Sequence, residues 1–243
     1  TYEDSLRFIG ACASLKMNRL GKKVWGAKSQ GNFEKYNSVY PEAKFIYMLR
    51  DGRDILASQM NVGNFEPEVE RVAKAWSDRI KRFKKLKDKK EINVIMVKYE
   101  DLASNTEVTL KKLYKELEIE FHANSLNHSE HDISLLHEPR GQLSAEQVSK
   151  PIDTKSIGRW RKDLKKATID KFNDIAGDEL KEFGYEVPAE TDIDPLVIQS
   201  VRQVEKINNP IFINGMSRSG TTLMNALLDV HPDIAMSYEL YPN

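Results

Sequence analysis

Cysteine is almost missing: Cys12 is the single one in 243 residues. An internal disulfide framework is thereby excluded, and the composition suits a reducing, cytoplasmic compartment. Long apolar runs are missing too. None approaches the roughly 18–20 residues of a membrane span, and Thr1 to Gly10 lacks the form of a signal peptide. Neither charge is in surplus, since Lys plus Arg and Asp plus Glu both number 37. No global field therefore draws the chain to nucleic acid or to a membrane, and any anion binding must come from local clusters. No repeat, low-complexity tract or cluster with metal-ligand spacing is visible, so no metal is expected. What remains is the size and composition of one α/β domain, or one domain with a small appendage.

Lys44-Phe-Ile-Tyr-Met-Leu49, Ile92-Asn-Val-Ile-Met-Val97 and Pro210-Ile-Phe-Ile-Asn214 are short apolar runs, as buried parallel strands should be. Lys23-Val-Trp25 is a possible fourth strand, and Ile234 to Tyr238 a further one. Helical spacing runs over Arg53–Met60, Glu68–Leu86 and Glu107–Leu117. Strands alternating with helices predict a P-loop-type, doubly wound, mostly parallel sheet flanked by helices. Val187 to Pro195 is acidic, carries two prolines and reads as a linker. The chain thus divides into 1–186, the linker 187–195, and 196–243, a helix (196–206) followed by strand, loop and helix.

Pro210 to Leu228 reads strand, Gly-rich turn, helix. Gly215 and Gly220 permit a tight backbone, and Thr221 and Thr222 open the helix. N–H groups at such a helix start, with the helix dipole, attract an anion. The glycines keep the spacing of the nucleotide-binding Walker loop, but Thr221 stands where its Lys would be. The cation lies inside the turn, at Arg218, whose planar fork suits phosphate or sulfate oxygens. A turn that merely joins strand to helix is the plainer alternative.

With its flanks, Phe212 to Pro232 resembles the 5′-phosphosulfate-binding motif of sulfotransferases, and most of all the tyrosylprotein-sulfotransferase-like branch, on its Arg218-Ser-Gly-Thr-Thr-Leu-Met224 core. Ala43 to Ser58, with Arg50-Asp-Gly-Arg53, is similar to the family's 3′-phosphate-binding motif. Trp25-Gly-Ala-Lys28, Val97-Lys-Tyr-Glu-Asp-Leu102 and Ser144 to Pro151 with Arg159-Trp160 resemble three further family segments.

The resemblance implies a donor, 3′-phosphoadenosine-5′-phosphosulfate, with 3′-phosphoadenosine-5′-phosphate as product. It assigns Gly215, Ser217, Arg218, Ser219, Gly220, Thr221 and Thr222 to the 5′-phosphosulfate. Lys28 would stabilise the leaving phosphate oxygen, and Arg50 and Ser58 would bind the 3′-phosphate. Tyr99, Ser144 and Arg159 would line the nucleotide, with Arg159 standing where the family often has Lys. Glu239, 21 residues after Arg218, matches the branch's catalytic Glu and would take a proton from the acceptor. That acceptor is a hydroxyl on a peptide tyrosine, a glycan or a small molecule.

The motif order departs from the family, where the 5′-phosphosulfate loop comes first. Three arrangements account for this: a circular permutation, a fragment of a tandem array, or residue numbers that do not follow the natural chain. Two other functions compete: a P-loop phosphotransferase using ATP, and a sulfotransferase-like domain that only binds nucleotide. The histidines at 122, 128, 131 and 137 fall in a polar segment and read as solvated. His231 reads as a helix C-terminal cap that favours the dipole. The basic run Lys81 to Lys90 reads as the exposed end of a helix, with a docking patch for an acidic acceptor as its alternative.

Overall fold

The computed structural model describes residues 2–29, 33–61, 67–89, 92–130, 150–187 and 210–240. The chain opens with α1 (Tyr2–Arg19), β1 (Val24–Ser29), α2 (Phe33–Val39) and β2 (Lys44–Leu49). There follow α3 (Gly52–Met60), α4 (Val69–Asp88), β3 (Asn93–Lys98), α5 (Tyr99–Ser104) and α6 (Thr106–Leu117). Two 3-10 turns, Ala123–Leu126 and His128–Glu130, precede a short α7 (Trp160–Asp163) and a long α8 (Lys166–Glu182). β4 (Ile211–Gly215), α9 (Thr221–Asp229) and β5 (Ile234–Leu240) complete the set.

The strands form one five-stranded sheet in the order β3-β2-β4-β1-β5. All four neighbouring pairs are parallel. β4 is therefore the central strand, although it is one of the last in sequence. Phe212 pairs with Ala27 on one side and Phe45 on the other.

Side chains along β2 alternate between two cores, as the period of a strand demands. Phe45, Tyr47 and Leu49 join a cluster that includes residues of α1 to α4 and α8. Ile46 and Met48 join another, built with α6 and α9. Phe212 and its neighbours Ile211 and Ile213 divide in the same way. Helices thus cover both faces, and the α/β, doubly wound expectation is met. Phe212 is fully buried, with ring centroids of Tyr36 at 4.7 Å and of Trp25 at 5.6 Å.

Because every pair is parallel, the carboxyl ends of all the strands lie along one edge of the sheet. That edge is where open α/β sheets bind ligands. Lys28, Arg50, Tyr99, the loop after β4 and the end of β5 are brought there by topology alone.

Two expectations change. His128 is buried at 1% exposure, not solvated, because the turns at 123–130 pack against the α6–α9 face; the residues at 131 and 137 lie outside the described ones. His231 is no cationic cap: its Nδ1 accepts from the Asp233 N–H at 3.1 Å, so the other nitrogen donates to the Glu120 carbonyl at 2.7 Å. Burial lowers its pKa. Lys22 caps this helix end instead, donating to the carbonyls of Asp229 and Ile234, each at 2.7 Å.

The basic run behaves as the exposed end of α4. Its cations meet acids on neighbouring helices, with Lys81 on Glu179, Arg82 on Glu34 and Lys84 on Glu182. The linker over 187–195, Val187 aside, and the helix over 196–206 lie outside the described residues. Among those described, no helix is long and apolar enough to cross a membrane, and no group of three His, Cys, Asp or Glu is placed to hold a metal.

Candidate functional site

β4 ends at Gly215, and the chain turns through Met216 to Gly220 into α9. The turn is closed by the Ser219 N–H donating to the Met216 carbonyl at 3.0 Å. Two residues take left-handed backbone, Arg218 at φ 72° and Gly220 at φ 91°. A Cβ on Gly220 would lie 2.6 Å from the Tyr99 ring, so glycine serves both conformation and space. α9 starts with no side-chain cap and no acid in its first turn. The N–H groups of its first turn have no partner within the helix and point toward its N-terminal end, the side of the loop. Ser217 is exposed, Thr221 and Thr222 are half-buried, and Ser219 is fully buried. The Ser219 Oγ has no hydrogen-bond partner among the described residues.

Arg50 leaves the end of β2 and is 5% exposed. Its Nη1 donates to the Arg218 carbonyl at 2.8 Å, and its Nη2 to the Ser156 carbonyl at 2.7 Å. The guanidinium lies over the Tyr99 ring, 4.4 Å from the centroid. Arg218 donates its Nε–H to the Ser58 Oγ at 3.0 Å. Arg159, at the N-terminus of α7, forks onto Asp163 at 2.8 and 2.7 Å. Burial lowers the pKa of Arg218, and the charges of Arg50 and Arg159 lower it further. Arg50 thus meets the loop at Arg218, and Arg159 lies near enough for its charge to act on Arg218, an arrangement that favours a bound anion.

Of the residues predicted from sequence, Arg50, Ser58, Tyr99, Arg218 and Gly220 meet directly. Lys28, 7% exposed, stands at the end of β1, next to β4. Glu239 lies on β5, where Leu240 pairs with Ser29, so its backbone runs beside Lys28; its side chain lies outside the described residues. Ser144 lies outside them altogether.

The groups that hold Arg50 in place are not among the residues predicted from sequence. The Trp76 indole N–H donates to the Arg50 carbonyl at 2.9 Å. Glu100 accepts from the Asp51 N–H at 2.9 Å and from the Tyr185 hydroxyl at 3.2 Å. Burial raises the pKa of Glu100 and of Tyr185. Asp51 caps α3 and also grips Arg53 through both carboxylate oxygens, at 3.0 and 2.7 Å. This pair is no surface turn, since Arg53 is fully buried and stacks 3.9 Å from the Trp160 ring. Arg79 on α4 donates to the Gly215 carbonyl at 3.2 Å. Glu100 sits inside a motif already visible in the sequence; Trp76 and Arg79, one helical turn apart, offered only the core pattern.

A family model described as the sulfotransferase family matches residues 13–123 and 210–243. The two stretches contain every expected site residue except Ser144 and Arg159. Among curated proteins, the chain is similar to a protein-tyrosine sulfotransferase of Drosophila melanogaster, 25% identical over 150 residues, which are 57% of this chain and 29% of the fly protein. It is 25% identical over 143 residues to a putative protein-tyrosine sulfotransferase of Caenorhabditis briggsae, covering 57% of this chain and 51% of the other. Protein-tyrosine sulfotransferase 1 of Danio rerio is 26% identical over 184 residues, 69% of this chain and 50% of the fish protein. The chain thus spans about half, or less, of the length of these relatives.

Proposed function

Because the chain belongs to the sulfotransferase family, we propose that it moves a sulfuryl group from 3′-phosphoadenosine-5′-phosphosulfate to an acceptor hydroxyl. The observation that carries this reading is the meeting of Arg50, Ser58, Arg218 and Tyr99 beside an uncapped helix start. It fits a ligand with two separate phosphate positions and an adenine. The Ser219 Oγ, without a partner among the described residues, and the guanidiniums of Arg50 and Arg218, with the charge of Arg159 near them, fit an anion at the loop. Thr221 at the Walker lysine position speaks against an ATP-dependent phosphotransferase.

When bound, the donor supplies a sulfuryl group on a phosphate leaving oxygen. The loop amides from Ser217 to Thr222 and Arg218 hold the 5′-phosphosulfate oxygens, and Lys28 meets the charge left on the leaving oxygen. Arg50 and Ser58 hold the 3′-phosphate, while Tyr99, Ser144 and Arg159 line the nucleotide. Glu239 takes the proton from the acceptor hydroxyl. Fixed cations aimed at developing charge are the main catalytic means here, as in phosphoryl transfer.

The acceptor is a peptide tyrosine. The similarity to protein-tyrosine sulfotransferases supports that choice over a glycan or small molecule. We also propose that 196–243 completes the domain of 1–186, supported by the pairing of β4 with both β1 and β2. The test is transfer of labelled sulfate from the donor to a tyrosine peptide. Transfer that needs the tyrosine hydroxyl supports the reading; nucleotide binding with no transfer to any acceptor would leave a binding domain in its place.

A further inference from the structure

Arg159 belongs to no strand and sits at the start of a helix of four residues. Its place beside the loop depends on how the segment from Ser156 to Trp160 is tied down. Much of that tie is one carboxylate. Asp54, in the first turn of α3, is 1% exposed. Its Oδ2 accepts from the Gly158 N–H at 2.8 Å, and its Oδ1 from the Trp160 N–H at 3.0 Å. Both oxygens are thus engaged by the two amides that flank Arg159.

The sequence is built to offer those two amides to one acceptor. Gly158 takes φ 66°, a left-handed backbone that turns the chain sharply before Arg159. Trp160 is buried, and the Arg53 and Arg161 guanidiniums lie over its ring at 3.9 and 4.5 Å. Arg50 adds a bond to the Ser156 carbonyl at 2.7 Å. A carboxylate so deeply buried is costly to keep, and burial does raise its pKa. Two N–H donors and the nearby Arg50 offset that cost.

We infer that Asp54 is a positioning residue of the nucleotide site, acting through the backbone of Gly158 and Trp160 to hold Arg159 beside Arg218 and Arg50. The inference rests on the reading of this site as one for a 3′-phosphorylated adenine nucleotide. Asn at this position offers one acceptor oxygen, and its amide would face the other N–H donor. One bond is lost and one buried donor is left unmade.

The test combines Asp54→Asn, Arg159→Ala and the double variant, each titrated calorimetrically with 3′-phosphoadenosine-5′-phosphate. Asp54→Asn weakens binding roughly tenfold, as one buried charged hydrogen bond would. In the Arg159→Ala background the same change has little further effect, since coupled residues are not additive. In turnover the change falls on the donor KM and not on kcat. Additive losses, or an unchanged affinity for Asp54→Asn, overturn the inference.

Amide hydrogen exchange supplies a readout that needs no ligand. In Asp54→Asn the amides of Gly158 and Trp160 exchange faster while those of β2 and β4 keep their protection. Unchanged exchange at 158 and 160, or loss of protection throughout the sheet, contradicts the positioning role. If the unaltered chain takes up no 3′-phosphoadenosine-5′-phosphate, the functional reading fails, and exchange alone then decides whether Asp54 clamps the segment.

Discussion

The Nε–H of Arg218 meets the Oγ of Ser58 at 3.0 Å, joining residues 160 positions apart in the chain. The contact links the anion loop after β4 to the helix after β2, and so links the two phosphate positions proposed for the donor. Ser58→Ala removes one hydroxyl that would hold the 3′-phosphate. It is expected to weaken 3′-phosphoadenosine-5′-phosphate binding about five- to tenfold, the scale of one hydrogen bond. Calorimetric titration measures this.

Arg50 carries more. It binds the Arg218 and Ser156 carbonyls and stacks on Tyr99, so its loss disturbs the loop, the Arg159 segment and the adenine wall together. Arg50→Ala should weaken nucleotide binding roughly hundredfold, in the range of a charge-assisted contact at a phosphate. Arg50→Lys should recover little, because a single ammonium cannot span both carbonyls. Full recovery in the Lys variant would contradict the bidentate role.

Gly220→Ala combines a left-handed φ of 91° with a Cβ 2.6 Å from the Tyr99 ring. Strain of this kind costs about 1–3 kcal/mol, before any movement of the ring. The variant is expected to lose stability on that scale in urea unfolding and to lose nucleotide binding with it.

Much of this was legible in the sequence, and the limit falls at a physical boundary. Lys44–Leu49 was readable as a buried strand because every residue in it is apolar or at a strand end, and the structure returns the same bounds. Arg50 and Ser58 were assigned by the resemblance of Ala43 to Ser58 to a family motif, and their place at a strand's end and on the next helix agrees with that resemblance. α1 and α8 are not among the helices the sequence predicts, although Leu6, Ala13 and Met17, and Phe172, Ala176 and Leu180, are buried at helical spacing. Asp54 and Glu100 were in view as letters, but their roles depend on backbone amides supplied by other segments. Gly158, which Asp54 binds, lies 104 positions away. No local pattern encodes such a contact.

Glu100 gives a pH dependence with a definite sign. Burial raises its folded pKa above the ordinary value of 4.5. Its contribution to stability is therefore fully present below the unfolded value and is lost as pH rises through the raised folded value. Glu100→Gln keeps an acceptor for the Asp51 N–H and removes the titration. Unfolding free energies from about pH 4 to about pH 7 should then fall less steeply in the variant than in the parent. Equal slopes would show that Glu100 titrates normally.

Phe212 tests whether the strand late in the chain truly completes the sheet. It is fully buried against Trp25, Tyr36 and Phe45, all from the first part of the chain. Phe212→Ala should cost about 3–5 kcal/mol in a single cooperative transition. A small loss, or two separate transitions, would mean that residues 210–240 fold apart from the rest.

The most direct test of the site is calorimetric titration of the chain with 3′-phosphoadenosine-5′-phosphate, adenosine 5′-phosphate and magnesium ATP under one buffer. Arg50, Ser58 and Arg218 together predict that the 3′-phosphorylated nucleotide binds at least tenfold tighter than either of the others, with no need for magnesium, by about 1.4 kcal/mol or more. Equal binding of adenosine 5′-phosphate, or tighter binding of magnesium ATP, would contradict a phosphosulfate donor at this loop.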